Sequence, residues 1–357
     1  MRIAIITYDE YINIPYIHKY ERIIANNGDA CDVILWDRRG CSGTHPGNHY
    51  IFQAKVKKSK LSKVIPFLQW RRFTLKILKA GQYDKIIVLT TIPAVLIFDF
   101  LISKYAGNFF FDLRDFTYES FPPYKKLVNW IVGKSAVTSI SSDAFMQFLR
   151  PSSQIVVTHN ITNYDAVQEK FQWKVDSNRF IIGFVGGIRY FEENCLLLGK
   201  LKNNTRFHLR YVGKVHPECD LQAFCQRNGI CNADFFSAYD NVQKPQIYRD
   251  IDLINAVYGN KTSEVVLALP NKLYDCVLFK KPIIVSSGTC LAKLVQQYNL
   301  GIAIDVEQDD VETVLNRYLE TFDPDLFQAG CRDFLKLAQQ EEAIAEQRVT
   351  EFLSEKR

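Results

Sequence analysis

Short apolar runs alternate along this chain with longer stretches in which apolar residues return every three or four positions. The first pattern predicts buried strands, the second helices that cover them. In the first half the strand pattern falls on residues 3–8, 32–36, 50–56, 85–90, 109–113, 137–141 and 155–158. Helical periodicity lies between most of these, notably over 61–79, 94–105 and 124–134. Around 165–178 the pattern turns polar and irregular and reads as a linker. A second series follows, with strands at 180–185, 207–212, 234–236, 253–257, 282–285 and 302–305 and a helix near 192–201. The tail, 309–357, is helical and charged. Strict strand–helix alternation argues for parallel sheets wrapped by helices. The expected fold class is α/β, with two doubly wound, Rossmann-like domains facing across a cleft. Residues 1–165 would form the first, 178–330 the second, and helices in 331–357 would pack back toward the first.

One segment is denser in signals than the rest. Residues 269–295 predict a helix, a short core strand, a tight turn and a second helix. Pro270 suits a first helical turn, where a missing N–H costs nothing. Leu269, Leu273 and Val277 make the buried stripe, and Lys272 and Asp275, three apart, can share another edge. Ser286, Ser287, Gly288 and Thr289 lead into the second helix, whose free N–H groups could receive an anion. A cation, a carboxylate and two helix starts suit a sugar nucleotide. The lysine and amides would face phosphate, and the carboxylate would accept from ribose hydroxyls.

Bulk properties narrow the setting. With 357 residues, 47% hydrophobic and 23% charged, the chain is long enough for two cores and ordinary in composition. The apolar run 92–102 is broken by Asp99, so no membrane span is expected. The N-terminus reads as a strand rather than a signal peptide. Nine scattered cysteines without a Cys-x-x-Cys suggest reduced, cytoplasmic thiols. His216, Cys219, Cys225 and Cys231 fit no common zinc spacing, and no metal or cofactor is expected.

Charge is unevenly spread. Residues 1–170 hold 22 Lys+Arg against 14 Asp+Glu, a net of +8; the remainder holds 22 against 25, a net of −3. No acidic residue lies between Arg38 and Tyr83. Within that span, 55–79 carries nine cations, among them Lys57, Lys58, Arg71 and Arg72, with Phe67, Trp70 and Phe73 interleaved. Such a stretch attracts the phosphates of anionic lipid or nucleic acid, or is simply a solvated helix face.

Two further motifs carry chemistry. The second domain opens on a strand ending in Gly186-Gly187, where backbone can approach a ligand and Arg189 can reach phosphate oxygens. In the first domain a buried strand ends in Asp112, Arg114 and Asp115, charges that are costly unless paired or used. Asp112 and Arg114 could form a structural pair, or a polar group could be presented to a transferred sugar. Asp115 favours the second role.

In order, these segments resemble the retaining glycosyltransferases of family four, which have the GT-B fold. Residues 112–119 (Asp-Leu-Arg-Asp-Phe-Thr-Tyr-Glu) resemble the x-V-R-D-L-W-P-E element of capsule and O-antigen sugar transferases. Residues 139–143 and 157–160 resemble the segments that close the first domain, 183–189 the phosphate loop, and 270–275 the P-x-K-x-x-E donor motif. The resemblance implies transfer of a sugar from a nucleotide donor, UDP-linked, to a hydroxyl of a lipid-linked polysaccharide repeat unit, without bound metal. Gly187, Arg189, Asn271, Lys272, Asp275, Gly288 and Thr289 would bind the donor, and Asp115 would face the sugar. Lys57, Lys58, Trp70, Arg71 and Arg72 would dock the protein peripherally on the inner face of the cell membrane. No nucleic-acid partner is implied. Three positions depart from the pattern: residues 8–15 lack glycine, Leu267 stands where a first acid is usual, with Glu264 nearby, and Lys280 replaces a glycine. A sugar-nucleotide epimerase shares the expected shape, and a nucleic-acid binder would share the basic run.

Overall fold

The structure, a computed structural model, describes residues 1–11, 14–38, 48–54, 64–161, 171, 173 and 179–355. They divide into two compact units, Met1–Asn160 with Gln339–Arg357, and Ile161–Ala338.

Unit 1 is built on a seven-stranded parallel sheet. Its strands are β1 (Arg2–Ile6), β2 (Ala30–Asp37), β3 (Asn48–Gln53), β4 (Lys85–Leu89), β5 (Phe109–Leu113), β6 (Val137–Ile140) and β7 (Ile155–Val157). They lie in the order β3-β2-β1-β4-β5-β6-β7. The inner strands are buried on both faces, which is why they read as unbroken apolar runs. Helices α1 (Ile17–Asn26), α2 (Val64–Gly81), α3 (Thr91–Leu96), α4 (Phe98–Tyr105) and α5 (Pro122–Val132) connect them.

The expected single helix over 94–105 is two helices that meet at Ile97 (φ −118°, ψ 19°). The Leu96 carbonyl accepts from the Arg71 guanidinium, which anchors the break.

α2 corrects the expected membrane surface. Trp70 is fully buried and stacks on Trp36, with centroids 6.4 Å apart. Phe67 meets Trp36 edge-on and Phe73 packs on Phe52, so the interleaved aromatics belong to the core. Arg71 is held by Asp99 through two bonds of 2.8 and 2.7 Å. Lys57 and Lys58 lie outside the described residues. The residues α2 exposes include Ile65, Leu68, Arg72, Lys76 and Lys79, which share one face at helical spacing.

Unit 2 repeats the plan with β8 (Phe180–Val185), β9 (Phe207–Val212), β10 (Ala233–Phe236), β11 (Leu253–Ala256), β12 (Ile283–Ser286) and β13 (Gly301–Ile304). All are parallel, in the order β10-β9-β8-β11-β12-β13. The helices between these strands are α6 (Phe191–Lys200), α7 (Leu221–Asn228), α8 (Lys244–Arg249), α9 (Ser263–Leu267), α10 (Asn271–Phe279) and α11 (Cys290–Gln297). α12 (Val311–Thr321) and α13 (Pro324–Ser354) follow. Phe327, Cys331, Phe334 and Ala338 of α13 pack in unit 2, whereas Val349, Phe352 and Leu353 pack among the β1, β2 and β5 side chains of unit 1. Among the described residues no helix is long and apolar enough to cross a membrane, and no cluster of metal-ligating side chains occurs.

Candidate functional site

In unit 2 the strand order reverses direction between β8 and β11, and a doubly wound sheet binds ligands at the carboxyl ends of such neighbours. Four loops meet there. After β8 come Gly186 (φ 121°), Gly187, Ile188, Arg189 and Tyr190; after β9 comes Gly213 (φ 146°). The two turns approach so closely that a Cβ on Gly213 would lie 1.8 Å from the Gly186 carbonyl oxygen. Ile188 extends the pairing, its N–H donating to Lys214 at 2.9 Å while its carbonyl accepts from His216 at 3.0 Å.

Buried Asn194 fixes the β8 loop from beneath. Its amide donates to the carbonyls of Arg189 (3.1 Å) and Tyr190 (2.8 Å), and its oxygen accepts from Tyr211 and Asn255. The Arg189 backbone is thereby held while its side chain is exposed, with no carboxylate bonded to it among the described residues. Gly187 is exposed beside it.

Lys272 is 6% exposed. Its ammonium donates to the Tyr258 hydroxyl at 2.9 Å and lies 3.6 Å from the centroid of Phe184. Tyr258 stacks on Tyr190 at 4.3 Å, and Ser286 accepts from the N–H groups of Tyr258 (3.1 Å) and Gly259 (2.8 Å). Burial pushes the lysine down to about 7; Asp275 opposes that shift, and Arg189 and Lys244 add to it.

Asp275, 4% exposed, faces other neighbours. Its oxygens accept from Lys244 at 3.0 and 3.1 Å and from Tyr248 at 2.8 Å. The lysine and carboxylate do not bond each other: Lys272 is left to a ring and a phenol, while Lys244 supplies the ion pair. The expectation that Pro270 lies in the first helical turn gives way to an extended Pro270 (φ −74°, ψ 156°) at the cap, with exposed Asn271 opening α10. Thr289 is buried and committed to capping α11: its hydroxyl accepts from Ala292 (3.0 Å) and donates to Ser286 (2.9 Å). Gly288 (φ 75°) is exposed before it, so this turn offers backbone rather than the threonine side chain. Arg189, Tyr190, Glu192, Glu193, His216 and Glu264 line a cavity of about 500 Å³ that also borders Glu218 and Cys219.

In unit 1 Asp112 is the centre of a buried network. It accepts from Arg114, Tyr20 and Ser139, each at 2.7 Å. Arg114 also donates to Asn160, and its guanidinium lies 4.1 Å from the Tyr16 ring. Of the two readings for this pair, the structural one is what the geometry shows. Asp115 is exposed just beyond it. The expected donor residues thus converge on one end of one sheet, joined by Tyr190, Tyr258, Lys244 and Tyr248, which no local pattern had singled out.

No protein-family model matches this chain, and no curated protein matches it in sequence. Solved structures are similar over nearly the full length. HepE of Anabaena, in complex with UDP and glucose, is 15% identical with a TM-score of 0.68, covering 99% of each chain. WaaG, a glycosyltransferase involved in lipopolysaccharide biosynthesis, is 14% identical with a TM-score of 0.64, covering 99% of each. An α,α-trehalose-phosphate synthase (UDP-forming) from Burkholderia xenovorans, in complex with glucose-6-phosphate, is 9% identical with a TM-score of 0.68, covering 99% and 100%. Two parallel-sheet Rossmann-like units and these neighbours identify the architecture: the chain has the GT-B fold.

Proposed function

We propose that this protein is a glycosyltransferase that moves a sugar from a nucleotide donor, UDP-linked, to a hydroxyl of a lipid-linked saccharide. The observation that carries the reading is Lys272, a buried ammonium with no bonded carboxylate, at the strand-order reversal of unit 2 beside unpaired Arg189. Two such cations, the exposed backbone at Gly187 and Gly288 and the start of α11 favour a diphosphate. In transfer the bond from sugar C1 to the diphosphate oxygen breaks, a bond from C1 to the acceptor oxygen forms, and the acceptor hydroxyl proton is released. Charge grows on the departing diphosphate, where Arg189 and Lys272 help most. Asp275, oriented by Lys244 and Tyr248, is assigned to the ribose hydroxyls, and Asp115 to orienting the sugar. Retention of configuration and independence from metal are part of the proposal, taken from the family resemblance.

The proposed setting is cytoplasmic, at the inner face of the membrane that carries the acceptor, as part of capsule or O-antigen synthesis. The support is the outward face of α2, where Ile65 and Leu68 lie beside Arg72, Lys76 and Lys79. Calorimetry against UDP, UDP-glucose, UDP-galactose and UDP-N-acetylglucosamine tests the donor site. Binding lost in Lys272→Met and Arg189→Ala supports it, and equal binding in either variant refutes it. Reversing Arg72, Lys76 and Lys79 to Glu should release the protein from phosphatidylglycerol vesicles; unchanged binding would remove the membrane from the reading.

A further inference from the structure

Beside Lys272 and Arg189 the donor site holds a third polar group, the hydroxyl of Tyr258. Tyr258 lies just after β11, one of the two strands at the order reversal, and its backbone is clamped there. Asn255 accepts from the Val257 N–H at 2.9 Å, and Ser286, at the end of β12, accepts from the N–H groups of Tyr258 and Gly259. The ring is fixed as well. It stacks on Tyr190 with centroids 4.3 Å and planes 21° apart, and the Tyr190 carbonyl is in turn held by Asn194. Phe184 meets the same ring at 6.0 Å.

The phenol oxygen accepts from the Lys272 ammonium at 2.9 Å, so its own proton points elsewhere. Among the described residues no acceptor receives that proton. Burial pushes the phenol up, Tyr190 adds to the shift and Arg189 opposes it. The group therefore keeps its proton near neutral pH and remains a donor. The Arg189 charge acts on the Lys272 ammonium too, so the β8 loop, the β11 loop and α10 bring three donor groups within electrostatic reach of one another.

A phenylalanine ring would be enough for the stack on Tyr190 and for the wall beside Lys272. The hydroxyl adds two things. It fixes the ammonium before a ligand arrives, so less side-chain freedom is lost on binding. It also sets a neutral donor beside two cations, and the ammonium on its oxygen polarises the O–H. A ligand that uses all three is an anion with several adjacent oxygens, which describes a diphosphate.

We propose that Tyr258 is a diphosphate-binding residue, its hydroxyl holding Lys272 ready in the free protein and donating to a diphosphate oxygen in the complex. The inference rests on the glycosyltransferase reading and adds a neutral ligand to its two cations. The proton stays on the phenol throughout. As charge grows on the departing diphosphate the bond strengthens, so Tyr258 contributes to transfer as well as to binding.

The test uses the whole chain. With tyrosine isotopically labelled at Cζ, the Tyr258 resonance is assigned by its absence from Tyr258→Phe. Inorganic diphosphate added at constant pH should shift that resonance in the wild type. Calorimetry with UDP measures what the hydroxyl contributes: Tyr258→Phe, which keeps the stack on Tyr190, should bind about tenfold or more weakly. Saturation-transfer NMR with uridine, which carries no phosphate, should give the same signal in both proteins, whereas a merely structural hydroxyl would weaken uridine and UDP alike. An unshifted Tyr258 resonance, an unchanged UDP affinity in Tyr258→Phe, or an equal loss for uridine would each overturn the proposal. A wild type that fails to bind UDP would instead overturn the donor reading, and the response to inorganic diphosphate would still decide this one.

Discussion

Lys272 makes donor binding depend on pH in a way that can be calculated. In the free protein its ammonium is pushed down to about 7 by burial against Phe184 and Tyr258. A bound diphosphate would raise it again, because an adjacent anion favours the charged form. Binding therefore takes up a proton. Affinity is full below the free-state value and declines as pH rises through 7. With that value, roughly nine-tenths of the lysine is charged at pH 6 and roughly one-tenth at pH 8. The affinity should fall about tenfold between them, about 1.4 kcal/mol. UDP-glucose is the right probe, since its diphosphate is a diester and does not titrate in this range. Calorimetry in buffers of different ionisation heat measures the proton directly, about half a proton at pH 7. Lys272→Arg should bind without the pH slope, because a guanidinium stays charged. His216→Asn, which alters an imidazole lining the neighbouring cavity, should keep it. Flat affinity in the wild type from pH 6 to 8, or a slope that survives in Lys272→Arg, would refute the reasoning.

Other perturbations separate the parts of the structure. Asp275→Asn removes the carboxylate that offsets Lys272 and leaves Lys244 without its ion pair. The pH midpoint of donor binding should move lower, and urea denaturation should show a loss of about 3 kcal/mol. Trp70→Ala should cost about 3–5 kcal/mol in the same measurement without changing vesicle binding by the folded fraction, because the ring is interior. Gly213→Ala should abolish UDP binding, since its methyl group would drive the β8 and β9 turns apart; calorimetry beside a melting curve distinguishes this from unfolding.

How far the sequence reaches depends on how local the determinant is. Strands 109–113, 180–185 and 207–212 were legible to the residue, because burial on both faces leaves no alternation to misread. α2 was legible as a helix but not in orientation. Its N-terminal half is apolar on most sides (Val64, Ile65, Phe67, Leu68, Trp70), and only Trp36, more than thirty residues earlier, decides that Trp70 turns inward. The donor motif shows the same limit. Lys272 and Asp275 were identifiable by type and spacing, yet three-residue spacing does not say what each meets. Lys244 and Tyr248 reach Asp275 from α8, and Tyr258 reaches Lys272 from the loop after β11.

The last helix has a consequence for truncation. α13 contributes Phe327, Phe334 and Ala338 to the second core and Val349, Phe352 and Leu353 to the first. The Phe352 carbonyl also accepts from buried Lys85 at the start of β4. The second unit is therefore complete in sequence at residue 338, while the first still lacks the segment that closes it. Without Val349, Phe352 and Leu353 the N-terminal sheet keeps an apolar face and a buried lysine uncovered. A purified chain ending at residue 338 should hold a folded second unit beside a first unit that is protease-sensitive.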